Sequence, residues 1–267
     1  MPNRSNTEER ILYGFWLSPY MSLVAHVLIE AGLPFQYKRV SPYTGDTQRG
    51  DQLTRNSLGK IPSLREPGGI VLSESQAICR YLARSYDGAE KLYPCHDPVL
   101  CSEVDRINDF LTFSISGPFF NWFVVGAYWP QAWGASTELE SDIFSTWSMI
   151  SIKGSIARIL NACSLSPYLL GNEPSLPDFH LFNILELGKT FSDFFNMPAL
   201  NLTSGDARLE AFYQAMIARP SSKLILAEQE KEREMTRTEI FEHFGPAYKE
   251  MLIPAKAGLS ALFGHEV

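Results

Sequence analysis

Two places in the sequence put a polar side chain where a helix should begin. The first is Ser18-Pro19-Tyr20-Met21, just after the apolar run from Ile11 to Trp16. A helix N-terminus has free N–H groups and a partial positive charge. A serine there either caps the helix or lends its O–H to an anion, and one residue can do both. One charge-assisted hydrogen bond contributes about 1.5–3 kcal/mol, enough to favour an anion at that place. No base stands beside Ser18 in the sequence, so it is not read as a Ser-His-Asp nucleophile.

The second place is Leu72-Ser73-Glu74-Ser75-Gln76-Ala77-Ile78. Helix N–H groups and the Ser75 hydroxyl can hold a carboxylate, and Glu74 can pair with an ammonium. A ligand end carrying both charges suits the pair. The plainer alternative is an N-cap, with Ser73 or Ser75 capping and no ligand.

The elements that must position these groups are legible around them. Ile11 to Trp16, Phe35 to Val40, Ile61 to Arg65 and Ile70 to Leu72 read as short strands. Tyr20 to Ala31 and Glu74 to Ser85 read as helices, and Pro67-Gly68-Gly69 as a hairpin turn. A polar loop fills Ser41 to Arg55, and a linker follows from Asp87 to Pro98. After that the strand signal fades. Ser102 to Phe123, Glu138 to Leu160, Asp178 to Leu187 and Asp206 to Ala218 read as helices. Segregation of this kind indicates two domains. Leu224 to His243 is charged and helical, either a solvated helix or a lid.

The chain has 267 residues and a net charge of −7. Acidic balance speaks against nucleic acid as a partner. No run of 18 apolar residues is present, so no membrane span is expected. Cys79, Cys95, Cys101 and Cys163 form no CxxC pair, which suits a reduced, cytoplasmic protein. His26, His96, His180, His243 and His265 have no ligand spacing, so no metal is expected. His180 is expected as a core histidine. Phe113, Phe119, Phe120, Trp122, Phe123, Tyr128 and Trp129 make an aromatic-rich segment. Most of these should be core, and the few that face a cleft suit a flat or aromatic ligand.

Four motifs in order resemble the cytosolic glutathione transferase family, over roughly residues 10 to 225. Asn56-Ser57-Leu58-Gly59-Lys60-Ile61-Pro62-Ser63-Leu64 is similar to the family's Asn-Pro-x-Gly-Lys-Val-Pro-x-Leu, with Ser57 in place of proline. Glu74-Ser75 is similar to its Glu-Ser pair. Ser18-Pro19-Tyr20 resembles the Cys-Pro-Tyr-Cys of glutaredoxins and the Cys-Pro-Phe of omega-type transferases with the thiols removed, and theta-type members carry serine there. Leu170 to Asp178 resembles the capping box Ser-x-x-Asp before a buried helix, here Ser175 and Asp178.

The resemblance implies an α/β plus all-α fold. A thioredoxin-like glutathione-binding domain (βαβ-ββα) would span 1–88, an all-helical co-substrate domain 96–225, and a C-terminal helical extension 226–267. It implies a cis Pro62, with the Ile61 backbone pairing with the cysteinyl part of glutathione. Ser18 would face the sulfur, with Tyr13 as the alternative donor and Tyr20 a further one. Glu74 and Ser75 would hold the γ-glutamyl end. Lys60, Arg49 and Gln52 would meet the glycyl carboxylate, and Asn108 or Asp109 would approach the γ-glutamyl amine across a homodimer interface. Phe15, Tyr20, Phe113, Phe119 and Trp122 would line the co-substrate pocket. The function expected is addition of the glutathione thiolate to a bulky apolar or aromatic electrophile, with glutathione as co-substrate. The alternatives are an isomerase, dehydratase or lyase of secondary metabolism, with or without glutathione, and a non-catalytic binding protein on the same fold.

Overall fold

The computed structural model describes residues 9–120, 138–163, 165–195 and 198–244. The chain divides into two compact units. One comprises Met1–Ser102 with Met216–Thr236, and the other Glu103–Ala215 with the residues from Arg237 on.

The first unit is built on a four-stranded sheet. Its strands are β1 (Ile11–Gly14), β2 (Gln36–Arg39), β3 (Ser63–Arg65) and β4 (Val71–Ser73), in the order β2-β1-β3-β4. β1 pairs parallel with β2 and antiparallel with β3, and β3 pairs antiparallel with β4. With α1 (Pro19–Glu30) joining β1 to β2 and α3 (Ser75–Ser85) following β4, this is the expected thioredoxin-like arrangement. Every residue of β1 is buried, as a central strand covered on both faces requires. α1 packs against α3 and the short α4 (Asp87–Glu90). Its Leu23, Val24, Val27 and Leu28 are fully shielded, and α3 contributes Ile78, Cys79 and Leu82. Two elements lie within stretches read as loop: a 3-10 turn, Asp46–Gln48, and α2 (Asp51–Arg55). Both are too short for a periodic signal.

One ion pair is built into this unit. Arg10 Nε lies 2.6 Å from Glu66 Oε1, and a second guanidinium nitrogen donates to Oε2 at 3.2 Å. Arg10 also donates to the Pro34 carbonyl at 3.0 Å and sits 5.0 Å from the centre of the Tyr86 ring. The Tyr86 hydroxyl donates to the same carboxylate. Glu66 is fully buried, so three donors replace its lost hydration.

The second unit is helical among its described residues. α5 (Pro98–Leu111) begins in the first unit and leads into a π-helical turn, Thr112–Ser116, then α6 (Gly117–Phe120). Pro118 has no N–H to donate, and a Cβ on Gly117 would meet the Thr112 carbonyl at 2.9 Å. α7 (Glu138–Ala162), α8 (Leu176–Phe195) and α9 (Ala207–Ile217) complete the unit. α8 is buried on all sides from Leu176 to Gly188.

The capping box forms with one change. Asp178 accepts from the Ser175 N–H at 2.8 Å, as expected. The Ser175 hydroxyl, however, donates to the same carboxylate at 2.9 Å, and the Asp178 N–H goes to the Ser175 carbonyl at 3.0 Å. A carboxylate is the stronger acceptor. The other Asp178 oxygen accepts from Leu169 N–H at 2.7 Å. Burial still outweighs these bonds and pushes the Asp178 pKa up to about 6.

His180 is the core histidine expected of it. Its Nδ1 lies 3.2 Å from Asn108 Oδ1, and burial pushes its pKa down to about 3. Asn108 is itself buried in this contact and its carbonyl accepts from Thr112, so the structure turns it away from the ligand role expected for it.

Two outcomes follow from these buried groups. Glu66→Ala leaves Arg10 uncompensated and should cost about 3–5 kcal/mol, read from the midpoint shift in urea at constant slope. His180 stays neutral in the fold but takes a proton in the unfolded chain below about pH 6.5. Stability therefore falls as the pH drops from there toward 3, by up to about 1.4 kcal/mol per pH unit. Asp178 slopes the opposite way between its unfolded pKa and about 6. His180→Asn should remove the histidine slope and leave the aspartate slope, measured by denaturation at a series of pH values.

Candidate functional site

The turn between β1 and α1 ends on Ser18. Its N–H donates to the Phe15 carbonyl at 2.9 Å, and its own carbonyl accepts the first helical bond from Ser22 at 3.0 Å. The backbone of Ser18 is extended, and Pro19 takes the first helical position, where its fixed φ suits the helix. The Ser18 hydroxyl oxygen accepts from the Met21 N–H at 3.4 Å. That bond uses a lone pair and leaves the hydroxyl proton to donate elsewhere. Capping and donation are compatible in this one residue.

Close to this turn lies the Ile61–Pro62 peptide, which is cis. The link between them is Gly14. A Cβ built there would sit 2.6 Å from Met21 Cγ and 3.8 Å from Pro62 Cβ, so a side chain at position 14 would displace α1. The loop before Pro62 is held by three amides. Gln48 donates to the Gly59 carbonyl at 3.0 Å. Gln52 donates to the Lys60 carbonyl at 2.8 Å and to Ser63 Oγ at 3.2 Å. Asn56 donates to the Lys60 carbonyl at 3.1 Å. Gly59 has φ +63 and a Cβ there would strike the Gln48 amide, so both its conformation and its space require glycine. Gln52 was expected at a ligand carboxylate. It is buried instead, its amide donating to the Lys60 carbonyl and to Ser63 Oγ. Ile61 packs against Ile11, Tyr13 and Val40.

Glu74 and Ser75 stand where β4 meets α3. Glu74 has φ 68 and ψ 111, a strained conformation for a residue with a side chain, costing of order 1–3 kcal/mol. It occupies the N-cap position, yet its carboxylate makes no cap bond and the residue is exposed. Ser75 is the first helical residue and is buried. Neither Ser73 nor Ser75 is the N-cap, so the plain capping alternative does not describe this junction. Lys60 and Arg49 are both exposed; Arg49 bonds the Thr44 carbonyl and lies 3.4 Å from Asp46.

The aromatic candidates divide. Phe15 is buried, its ring edge-on to Tyr43 at 5.7 Å and under the Arg39 guanidinium at 5.5 Å. Tyr20 is partly buried. Phe113 is exposed and Phe120 less so. Phe119 is a core residue stacked on Phe191 at 6.4 Å, so its surface is spent on packing in the helical unit. Trp122, Phe123, Tyr128 and Trp129 lie outside the described residues. Tyr13 alternates with Gly14 along β1, which places it on the sheet face away from α1. There its ring lies 4.1 Å from the Arg55 guanidinium.

The residues that sequence reasoning passed over come from the tail. α10 (Pro220–Phe244) lays its first part on the first unit. Arg219, just before it, pairs with Glu30 at 2.8 Å, and Ser221 donates to the same carboxylate at 2.6 Å. Farther along, Gln229 donates to the Trp16 carbonyl at 3.0 Å, and Glu232 accepts from the Trp16 N–H at 3.0 Å. Glu232 also accepts from the Tyr37 hydroxyl and lies 3.5 Å from Arg39 Nε. Among the described residues of α10 the buried ones are Ser221, Ser222, Ile225, Gln229, Glu232 and Thr236. Their spacing is helical, but five of the six are polar, so a search for apolar periodicity passes over them.

Comparison with known proteins agrees with this geometry. The family model for the glutathione S-transferase N-terminal domain matches residues 12–90. Glutathione S-transferase hmp2 of Hypomyces subiculosus is 41% identical over 83 residues, 31% of this chain and 38% of that protein. The match thus spans under half of that relative's length. Glutathione S-transferase 1 of Schizosaccharomyces pombe is 26% identical over 222 residues, 78% of this chain and 91% of that one. The structure of a glutathione transferase homolog from Sulfitobacter, solved with bound glutathione, has a TM-score of 0.69 at 21% identity, covering 82% of this chain and 98% of that one. That last likeness is one of fold.

Proposed function

We propose that this chain belongs to the glutathione S-transferase family and is a glutathione transferase of the serine type. The observation that carries the reading is the Ser18 hydroxyl. It caps α1 through an oxygen lone pair and keeps its proton for a sulfur anion at the helix N-terminus. Ser18 donates and does not abstract a proton. The thiol of glutathione loses its proton to water or buffer, and the hydrogen bond holds the thiolate.

The groove that seats the tripeptide follows from the same unit. The Ile61 backbone, presented by the cis peptide, pairs with the cysteinyl residue. Glu74 takes the γ-glutamyl ammonium, while Ser75 and the α3 N–H groups take its carboxylate. Glu74 fits the first role because it is exposed and is not used as a cap. Lys60 and Arg49 are the exposed cations nearest in sequence for the glycyl carboxylate. The thiolate then attacks an electrophilic carbon, forming the S–C bond as a leaving group departs or as the adduct takes a proton. Reversible addition by the same thiolate gives isomerisation. Serine in place of cysteine cannot form a mixed disulfide with glutathione, so thiol-transfer chemistry should be weak. The co-substrate in this reading is bulky and apolar or aromatic, and the working form is a cytoplasmic homodimer.

Ser18→Ala should lower conjugation of a model electrophile by about tenfold or more, the size of one lost charge-assisted hydrogen bond, with glutathione affinity retained. Equal turnover of the two proteins would remove Ser18 from this role. A wild-type protein that fails to bind immobilised glutathione would contradict the reading as a whole.

A further inference from the structure

The structure assigns Glu232, together with Gln229, as a positioning residue for Ser18, an assignment that rests on the serine-type reading above. Trp16 lies two residues before Ser18, inside the turn that the Ser18 N–H closes on Phe15. Peptide groups in a buried turn need partners, and this turn has no neighbouring strand to supply them. α10 supplies both for Trp16. The carboxylate of Glu232 takes its N–H, and the amide of Gln229 reaches its carbonyl, where the Ser22 hydroxyl also donates at 2.9 Å. Residues 229 and 232 are three apart, so they share one face of the helix.

The network extends to the other end of the turn. The Tyr37 hydroxyl lies between Glu232 and the Gly14 carbonyl, 3.3 Å from the latter. Its ring packs tilted against Trp16 at 5.0 Å. Arg39 of β2 balances the buried carboxylate. Glu232 therefore touches groups within and beside the segment that delivers the Ser18 hydroxyl, and through Tyr37 it is linked to Gly14 before it. In this assignment it acts through the backbone of the turn. Without it the Trp16 N–H is buried and unpaired, and the turn must shift to find water or another acceptor. Displacements of about 1 Å at a reacting group can cost up to about 100-fold in rate.

The test is a pH titration of enzyme-bound glutathione, followed by the ultraviolet absorbance of its thiolate, alongside kcat, glutathione affinity and thermal melting. Glu232→Ala should raise the apparent pKa of the bound thiol by about one unit, a tenfold smaller thiolate fraction at fixed pH. It should lower kcat in step and change glutathione affinity far less. Glu232→Gln, whose side-chain oxygen can still accept from Trp16, should recover most of the shift. Arg219→Ala loosens the same helix without touching the turn, and it should lower the melting temperature while leaving the thiol pKa unchanged. If Glu232→Ala does not fold, Glu232→Gln and Gln229→Ala carry the test, with the larger pKa rise expected for the alanine variant. A thiol pKa that rises in Ser18→Ala but is unmoved in the folded Glu232 and Gln229 variants overturns the positioning role and leaves the serine reading intact. A thiol pKa unmoved in Ser18→Ala removes the serine reading, and this assignment with it.

Discussion

β1 is the element on which the first unit depends. Its four residues are buried, and both of its edges are committed, one to β2 in parallel and the other to β3 in antiparallel pairing. Because the strand cannot shift, the backbone leaving it at Gly14 starts from a fixed point. Gly14 carries no side chain, and that vacancy lets Met21 of α1 and the cis Pro62 approach from different directions. The three chain segments that matter chemically therefore converge at one backbone position. A methyl group there would have to push against a buried methionine, which makes this glycine a geometric requirement of the site.

From that point the polar groups fall into two kinds. Gln48, Gln52, Asn56, Gln229 and Glu232 each bond a main-chain group, and so hold loops in place. Ser18, Glu74, Lys60 and Arg49 keep at least one charged or donor group toward the outside. The division is what a preorganised site requires, since loops that carry chemistry have no ladder of their own to stiffen them. The strained backbone of Glu74 belongs to the same logic. A residue held at φ 68 by a strand on one side and a helix on the other is paid for by the surrounding packing, and its carboxylate is aimed outward as a result.

Much of this was legible in the residues alone. The apolar run at Ile11, the Pro67-Gly68-Gly69 turn and the alternation of strand and helix patterns pointed to the βαβ-ββα order, because each is a strong local signal. Ser18 and the Glu74-Ser75 pair could be placed at helix starts by residue type, whereas the cis Pro62 and the ligand roles of these residues came from the likeness of their motifs to a known family. The misreadings share a physical cause. Gln52 and Asn108 are polar, so sequence reasoning sent them to a ligand, whereas the fold buried them to satisfy other polar groups. Phe119 is as aromatic as its exposed neighbour Phe113, and only packing separates them. The docking of α10 was invisible for the converse reason. Its buried stripe is mainly polar, and hydrophobic patterning has no means of marking glutamine, glutamate and threonine as an inward face.

The account turns on where the sulfur of a bound tripeptide lies relative to one hydroxyl. The most direct measurement is a crystal structure of the protein grown with glutathione. The sulfur is expected within hydrogen-bonding distance of Ser18 Oγ, with the cysteinyl residue paired to the Ile61 backbone and the γ-glutamyl end at Glu74 and Ser75. A tripeptide bound with its sulfur turned toward Tyr13 or into solvent, while Ser18 serves only Met21, would contradict it.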